Sequence, residues 1–312
     1  MHSQAPHSVL VIRPSSFGFN PQTVDSNAFQ SKPREATQVS MPMRGLQEFD
    51  SLVKVLKAAG VQVIVSDDTP LPPKPDAVFP NNWVSFHHDG TVIVYPLLAE
   101  NRRAERRIDI IYTLQKKFRF NVTRIIDLSM FELDQKYLEG TGSLVFDYRH
   151  KTAYAALSPR THPGLIEIVC AELGYRYITF NALDMKGREI YHTNVMMCIG
   201  EKYVILCTDT LRDPGQRKKV LDSLADSGLE LIEITMDQMC SFAGNMIELK
   251  NGNGEHLLLM SGKARNSLSG MQLEELCRHA TPVEVDIPTI ETIGGGGARC
   301  MLAGIFLPSL SR

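Results

Sequence analysis

The sequence lacks any apolar run approaching the ~18 residues of a membrane span. Its N-terminal apolar stretch is four residues long, Val9–Ile12, and ends at Arg13-Pro14, too short for a signal-peptide core. An excess of one charge is also missing. Lys+Arg number 33 against 35 Asp+Glu, a net charge of −2, so composition offers no electrostatic case for a nucleic-acid or anionic-membrane partner. The six cysteines form no C-x-x-C pair, which weakens zinc and thioredoxin-like readings. Their scatter is expected of reduced thiols and a cytoplasmic home. No G-x-G-x-x-G follows an expected strand.

What is present is an ordinary globular composition over 312 residues, 43% hydrophobic and 22% charged, enough to bury a sizeable core. One layout recurs along the chain. A small or polar residue leads into a short apolar stretch, a turn, a second apolar stretch, an amphipathic helix and a third strand. The first copy is Asn82–Phe86, a hairpin turn at Asp89-Gly90, Thr91–Tyr95, a helix over Arg103–Lys117 and a strand over Val122–Ile126. The second begins at Gly142, the third at Asn194 and the fourth at Asn245. In the third, Asp213-Pro214 reads as an N-cap with a first-turn proline. A fifth copy is split across the termini: Val9–Arg13, a helix near Gln47–Ala59 and Val61–Ser66 lack a first strand, which the segment from Cys300 onward supplies. The anchors Asn82, Gly142, Asn194, Asn245 and Cys300 are 60, 52, 51 and 55 residues apart. The pattern favours an α/β fold of five strand-strand-helix-strand modules closed into a pseudo-symmetric propeller, one catalytic domain over residues 1–312. A doubly wound α/β sheet is the alternative.

Three candidate chemical groups sit at equivalent starts. Cys300 follows Gly294–Gly297, whose backbone can approach a ligand closely, and the neighbouring Arg299 cation favours a thiolate. His192, two residues before Asn194, can take and return protons. Glu139, three residues before Gly142, can orient that histidine. Singly, each also reads as structural: a buried thiol, a core histidine, a loop acid. Jointly they satisfy nucleophile–base–orienter logic. His87 and His88, beside the hairpin turn, are expected to be solvated, the run Arg102–Arg107 to be the exposed start of a helix, and Trp83 to pack in the core. The polar stretch Phe17–Met43 is a candidate cover over the pocket.

These residues resemble the guanidino-group-modifying superfamily, the penteins, which includes arginine deiminase, dimethylarginine dimethylaminohydrolase and the amidinotransferases. The resemblance is closest to its bacterial arginine-deiminase-related branch of citrulline hydrolases. It covers about Val9 to Pro308 and is most specific in Asp76–Trp83, Glu139–Gly142, Tyr191–Asn194 and Gly294–Cys300. It implies a five-bladed α/β propeller and a cysteine-dependent hydrolase, with Cys300 as nucleophile, His192 as acid and base, and Glu139 as its orienter. It also implies substrate contacts at Asp76, Asn82, Asn194, Arg160 and, less cleanly, Arg102. Asn82 and Asn194 stand where the family carries guanidinium-binding aspartates. A guanidinium only donates hydrogen bonds, whereas a neutral ureido group also offers an acceptor, and an amide can answer both. Two lost carboxylates would cost a buried cation several kcal/mol of pairing, as an order of magnitude. The expected reaction is therefore hydrolysis of citrulline to ornithine, ammonia and carbon dioxide. Arginine or methylarginine deimination, amidino transfer and a non-catalytic binding protein are the alternatives. The expected partner is a small amino acid, with no metal or organic cofactor, no nucleic acid and no membrane, and a homo-oligomer is compatible with everything above.

Overall fold

The computed structural model describes residues 2–33 and 40–310. Among them the strands form five three-stranded sheets of one design. In the first complete sheet, β3 (Val84–Phe86) pairs antiparallel with β4 (Thr91–Val94), and β4 pairs parallel with β5 (Arg124–Asp127). A parallel pair needs a long crossover, and α2 (Ile108–Lys116) lies within it. The same order holds for β6 (Val145–Asp147), β7 (Thr152–Ala156), α3 (Pro163–Leu173) and β8 (Arg176–Phe180). It holds again for β9 (Met197–Ile199), β10 (Tyr203–Leu206), α4 (Pro214–Asp226) and β11 (Glu230–Glu233). The fourth set is β12 (Ile247–Lys250), β13 (His256–Ser261), α5 (Gly270–Cys277) and β14 (Thr281–Val285). In the fifth, β1 (Ser8–Arg13), α1 (Met41–Ala58) and β2 (Gln62–Asp67) provide the parallel pair. The C-terminal β15 (Ala303–Ile305) adds antiparallel to β1 and stands as the first strand.

Burial explains why these strands form. Middle strands such as β4, β7 and β10 are buried at every residue and read as continuous apolar runs. The last strands β5 and β11 are mostly exposed and mark the rim. The first strands of all five sheets line one axial cavity, which places them around a common centre. The fold is thus the five-bladed α/β propeller that the repeat implied. Trp83 is wholly buried, as expected.

Three local expectations are corrected. The first-module helix does not run from Arg103: a 3-10 turn over Glu100–Glu105 ends at Arg106 in extended backbone, and α2 starts at Ile108. The chain breaks there because Arg102 and Glu105 are buried by ion pairing instead of facing solvent. The helix expected near Gln47 begins at Met41, since Pro42 fits the first turn, where no N–H partner is needed. His87 is not solvated. It is 2% exposed, its Nε2 lies 2.7 Å from Ser85 Oγ, and burial pushes its pKa down to about 3. His88 is half-buried, with Nε2 3.0 Å from the Ser3 carbonyl.

Candidate active site

Each anchor of the repeat falls two or three residues before a first strand, in a tight turn that leads into it: Pro80–Asn82, Gly140–Ser143, Thr193–Val195, the turn at Asn245 and Ala298–Met301. The ring therefore carries residues distant in sequence to one end of the axis. There Asp76, Asn82, Arg102, Arg160, His192 and Cys300 line one small cavity, together with Phe79, Tyr191 and the glycines 294–296. Glu139 and Asn194 are buried behind this wall.

Glu139 is the electrostatic centre. Its Oε2 accepts from His192 Nε2 at 2.8 Å and from Arg160 Nη1 at 3.2 Å, and Arg102 Nη1 lies 3.8 Å away. Its Oε1 accepts the Leu98 backbone N–H at 3.1 Å. Burial alone would raise this carboxyl, but Arg160, His192 and Arg102 outweigh it and hold Glu139 well below the usual carboxylate range. Burial pushes His192 down to about 4, against the pull of Glu139. The imidazole is thus neutral at pH 7. Facing an acceptor-only carboxylate, its Nε2 carries the proton and Nδ1 is left as the base. The base–orienter contact expected from the sequence is made. No hydrogen bond joins His192 to Cys300; the two share the cavity instead.

The thiol is held by amides. Asn245 Nδ2 lies 3.2 Å from Cys300 Sγ and Asn194 Nδ2 3.5 Å. Asn245 Oδ1 accepts the Cys300 N–H at 3.4 Å, and its Nδ2 also donates to the Asn194 carbonyl at 2.8 Å. Burial raises the Cys300 pKa, with Asn245 and Arg299 opposing. Arg299 alone therefore does not turn the resting thiol into a thiolate. Asn194 lies against the Cys300 sulfur, at a position where the family resemblance implied a substrate contact. Asn245 was an anchor of the repeat but was not singled out for chemistry; its equivalence to Asn82 and Asn194 was the signal that pointed to it.

Asn82 and Asp76 leave complementary atoms open. Arg102 Nη1 donates to Asn82 Oδ1 at 2.9 Å, and Asn82 Nδ2 is buried with no protein partner. Asp76 Oδ2 accepts from Asn20 Nδ2 at 2.7 Å while Oδ1 has no partner, and burial raises this carboxyl despite the nearby Arg102. Gly142 makes room for this arrangement. A Cβ there would stand 2.6 Å from Asn82 Nδ2 and 2.8 Å from His192 Nδ1. At Gly140, φ is +49°, and a Cβ would lie 2.2 Å from the Asn81 carbonyl oxygen.

The segment from Phe17 closes over the cavity. Thr23 and Asn27 line it, Asn27 Nδ2 donates to the carbonyls of Gly294 and Gly295, and Arg160 Nη2 donates to Ser26 Oγ at 2.6 Å. Residues 34–39 of the stretch read as a cover lie outside the described residues. Among the described residues no group of three His, Cys, Asp or Glu is placed to hold a metal ion.

The family model described as N,N dimethylarginine dimethylhydrolase, eukaryotic, matches residues 13–307. No curated protein matches the sequence significantly. Several solved structures share the fold. The substrate-bound N-terminal domain of ArgZ, an arginine dihydrolase from the ornithine-ammonia cycle in cyanobacteria, superposes with a TM-score of 0.74 at 16% identity, over 97% of this chain and 99% of that one. Unliganded AgrE gives 0.75 at 16% identity over 98% of this chain, which spans only 40% of the AgrE chain. A dimethylarginine dimethylaminohydrolase adduct with S-methyl-L-thiocitrulline gives 0.63 at 15% identity, over 97% and 99%.

Proposed function

Since the chain belongs to the N,N dimethylarginine dimethylhydrolase family, hydrolases of carbon–nitrogen bonds within the guanidino-modifying pentein superfamily, we propose that its substrate is a free ureido amino acid, citrulline. One observation carries this reading. The cavity holds one buried donor without a partner, Asn82 Nδ2, and one buried acceptor without a partner, Asp76 Oδ1. A ureido group supplies a carbonyl acceptor for the first and N–H donors for the second. A guanidinium supplies donors only and would leave Asn82 Nδ2 unsatisfied, at a cost of about 1–3 kcal/mol.

In this reading the ureido oxygen accepts from Asn82 Nδ2 and a ureido nitrogen donates to Asp76. Cys300 Sγ attacks the ureido carbon, and the thiol proton passes to His192 Nδ1, with Glu139 stabilising the imidazolium that forms. Asn194 and Asn245 steady the sulfur. The new S–C bond forms as a C–N bond breaks, and His192 returns its proton to the departing nitrogen. Water, activated by His192, then cleaves the thiocarbamate and restores the thiol, and the carbamate released loses carbon dioxide. The sum is citrulline plus water to ornithine, ammonia and carbon dioxide. Arg160, at the cavity wall beside the cover, is assigned to the substrate α-carboxylate.

The family match favours a second reading, a methylated arginine losing dimethylamine through the same thiol chemistry. Purified protein offered citrulline, arginine and dimethylarginine side by side decides between them. Ammonia and ornithine from citrulline alone are expected. Dimethylamine from dimethylarginine, or faster turnover of arginine than citrulline, would overturn the ureido reading.

A further inference from the structure

Arg102 lines the cavity, yet three of its five N–H groups are already engaged by the protein. Its guanidinium Nε and Nη2 donate to Glu105 Oε1 and Oε2 at 2.9 and 2.8 Å, and Nη1 donates to Asn82 Oδ1 at 2.9 Å. Arg102 and Glu105 are each 2% exposed and sit in the same 3-10 turn, outside the set Cys300, His192 and Glu139. A carboxamide in a pocket can ordinarily turn over, presenting its oxygen or its NH₂. Beside a guanidinium, which has donors only, the oxygen must face Arg102. The two-pronged grip of Glu105 fixes the plane of that guanidinium and so the direction of Nη1. Asn82 is thereby held with Nδ2 turned away from Arg102, toward Gly142 and His192.

We propose that Arg102 and Glu105 are specificity-determining positioning residues, which lock the Asn82 amide as a hydrogen-bond donor and so select a reacting group that carries an acceptor oxygen. This rests on the ureido reading above and adds how the selection is enforced. With Glu105 removed, the Arg102 head can rotate, Asn82 can offer either edge, and selection weakens. With aspartate at position 82, one oxygen would keep Arg102 and the other would face the cavity as an acceptor, which suits a guanidinium.

The test is binding by calorimetry in a Cys300→Ala background, where turnover does not intrude. The quantity read is the ratio of citrulline to arginine affinity. The Cys300→Ala parent should prefer citrulline. Adding Glu105→Gln or Arg102→Lys should move the ratio toward unity by about 10-fold, and adding Asn82→Asp should shift it toward arginine by about 100-fold. A merely structural loss would weaken both ligands together and leave the ratio in place. Thermal midpoints show which variants are folded; Arg102→Lys, which keeps the charge, stands in if Glu105→Gln is not. A parent without preference overturns the ureido reading itself. A citrulline preference that Glu105→Gln and Arg102→Lys leave unchanged overturns the lock alone.

Discussion

The His192 ring and the Glu139 carboxylate meet at 2.8 Å behind the cavity wall, neither more than 2% exposed. This pair contributes to how stability follows pH. The folded protein holds His192 at about 4, below its ordinary 6.5, because burial disfavours the charged ring more than Glu139 favours it. As pH falls below 6.5, the unfolded chain takes up the proton first. The neutral ring therefore contributes stability above 6.5 that is lost as pH falls from 6.5 to 4, about 3 kcal/mol as an order of magnitude. His87, pushed to about 3 by burial, adds in the same direction. Glu105 and Glu291, raised to about 7 by burial, act in the opposite sense between pH 7 and 4.5, so the His192 contribution is read by difference. In thermal midpoints, His192→Gln should lose less stability than the wild type between pH 6.5 and 4. An unchanged slope in His192→Gln would contradict the burial of that ring.

The Cys300 thiol is predicted to be unreactive at rest. Burial raises it above its ordinary 9.0, so the rate of alkylation by iodoacetamide should still be climbing at pH 9. Removing the nearest donor with Asn245→Ala should slow alkylation at that pH by about 10-fold. A plateau below pH 8 would show that the free protein already holds a thiolate.

Gly142 separates Asn82 from His192, and a methyl group there would overlap both side chains. Gly142→Ala is expected to lower kcat by about 100-fold through displacement of one or the other, the scale of loss that follows a misplacement near 1 Å. Circular dichroism should be unchanged. A wild-type kcat would mean that neither Asn82 nor His192 acts from the position seen here.

Arg160 donates to Glu139 and to Ser26 of the covering segment. With the α-carboxylate role proposed above, Arg160→Met should raise KM for citrulline by about 10- to 100-fold, the worth of a charge-assisted hydrogen bond. The same variant should no longer distinguish citrulline from an analogue lacking the α-carboxylate. If that discrimination survives, another residue binds the carboxylate.

Much of the fold was legible because its signals are local. Runs such as Val92–Val94 and Val204–Leu206 are continuous and apolar because middle strands are buried on both faces, and the turns between strands carry Asp-Gly or Gly-Glu. The regular spacing of the anchors exposed the ring, since five modules of one design must place equivalent residues at one end of one axis. Cys300, His192, Asn82, Arg160 and Asp76 were named from position and family likeness, and the ring does bring them to one cavity.

Arg102, Glu105, His87 and Asn245 show where that reading stops. A run of arginines interleaved with acids looks like a solvated helix, because charge is costly to bury unless a partner is supplied, and sequence alone does not show the partner. Glu105 in the same run supplies the close ion pair of Arg102, and Asn82 and Asp76, 20 and 26 residues away in the chain, complete its burial. Sequence by itself thus determined the modules, their order and the chemical groups available. The tertiary structure alone decided which edge of Asn82 is open, which amides hold the Cys300 sulfur and which charges are buried, because orientation and desolvation are set by neighbours that only the closed ring brings together.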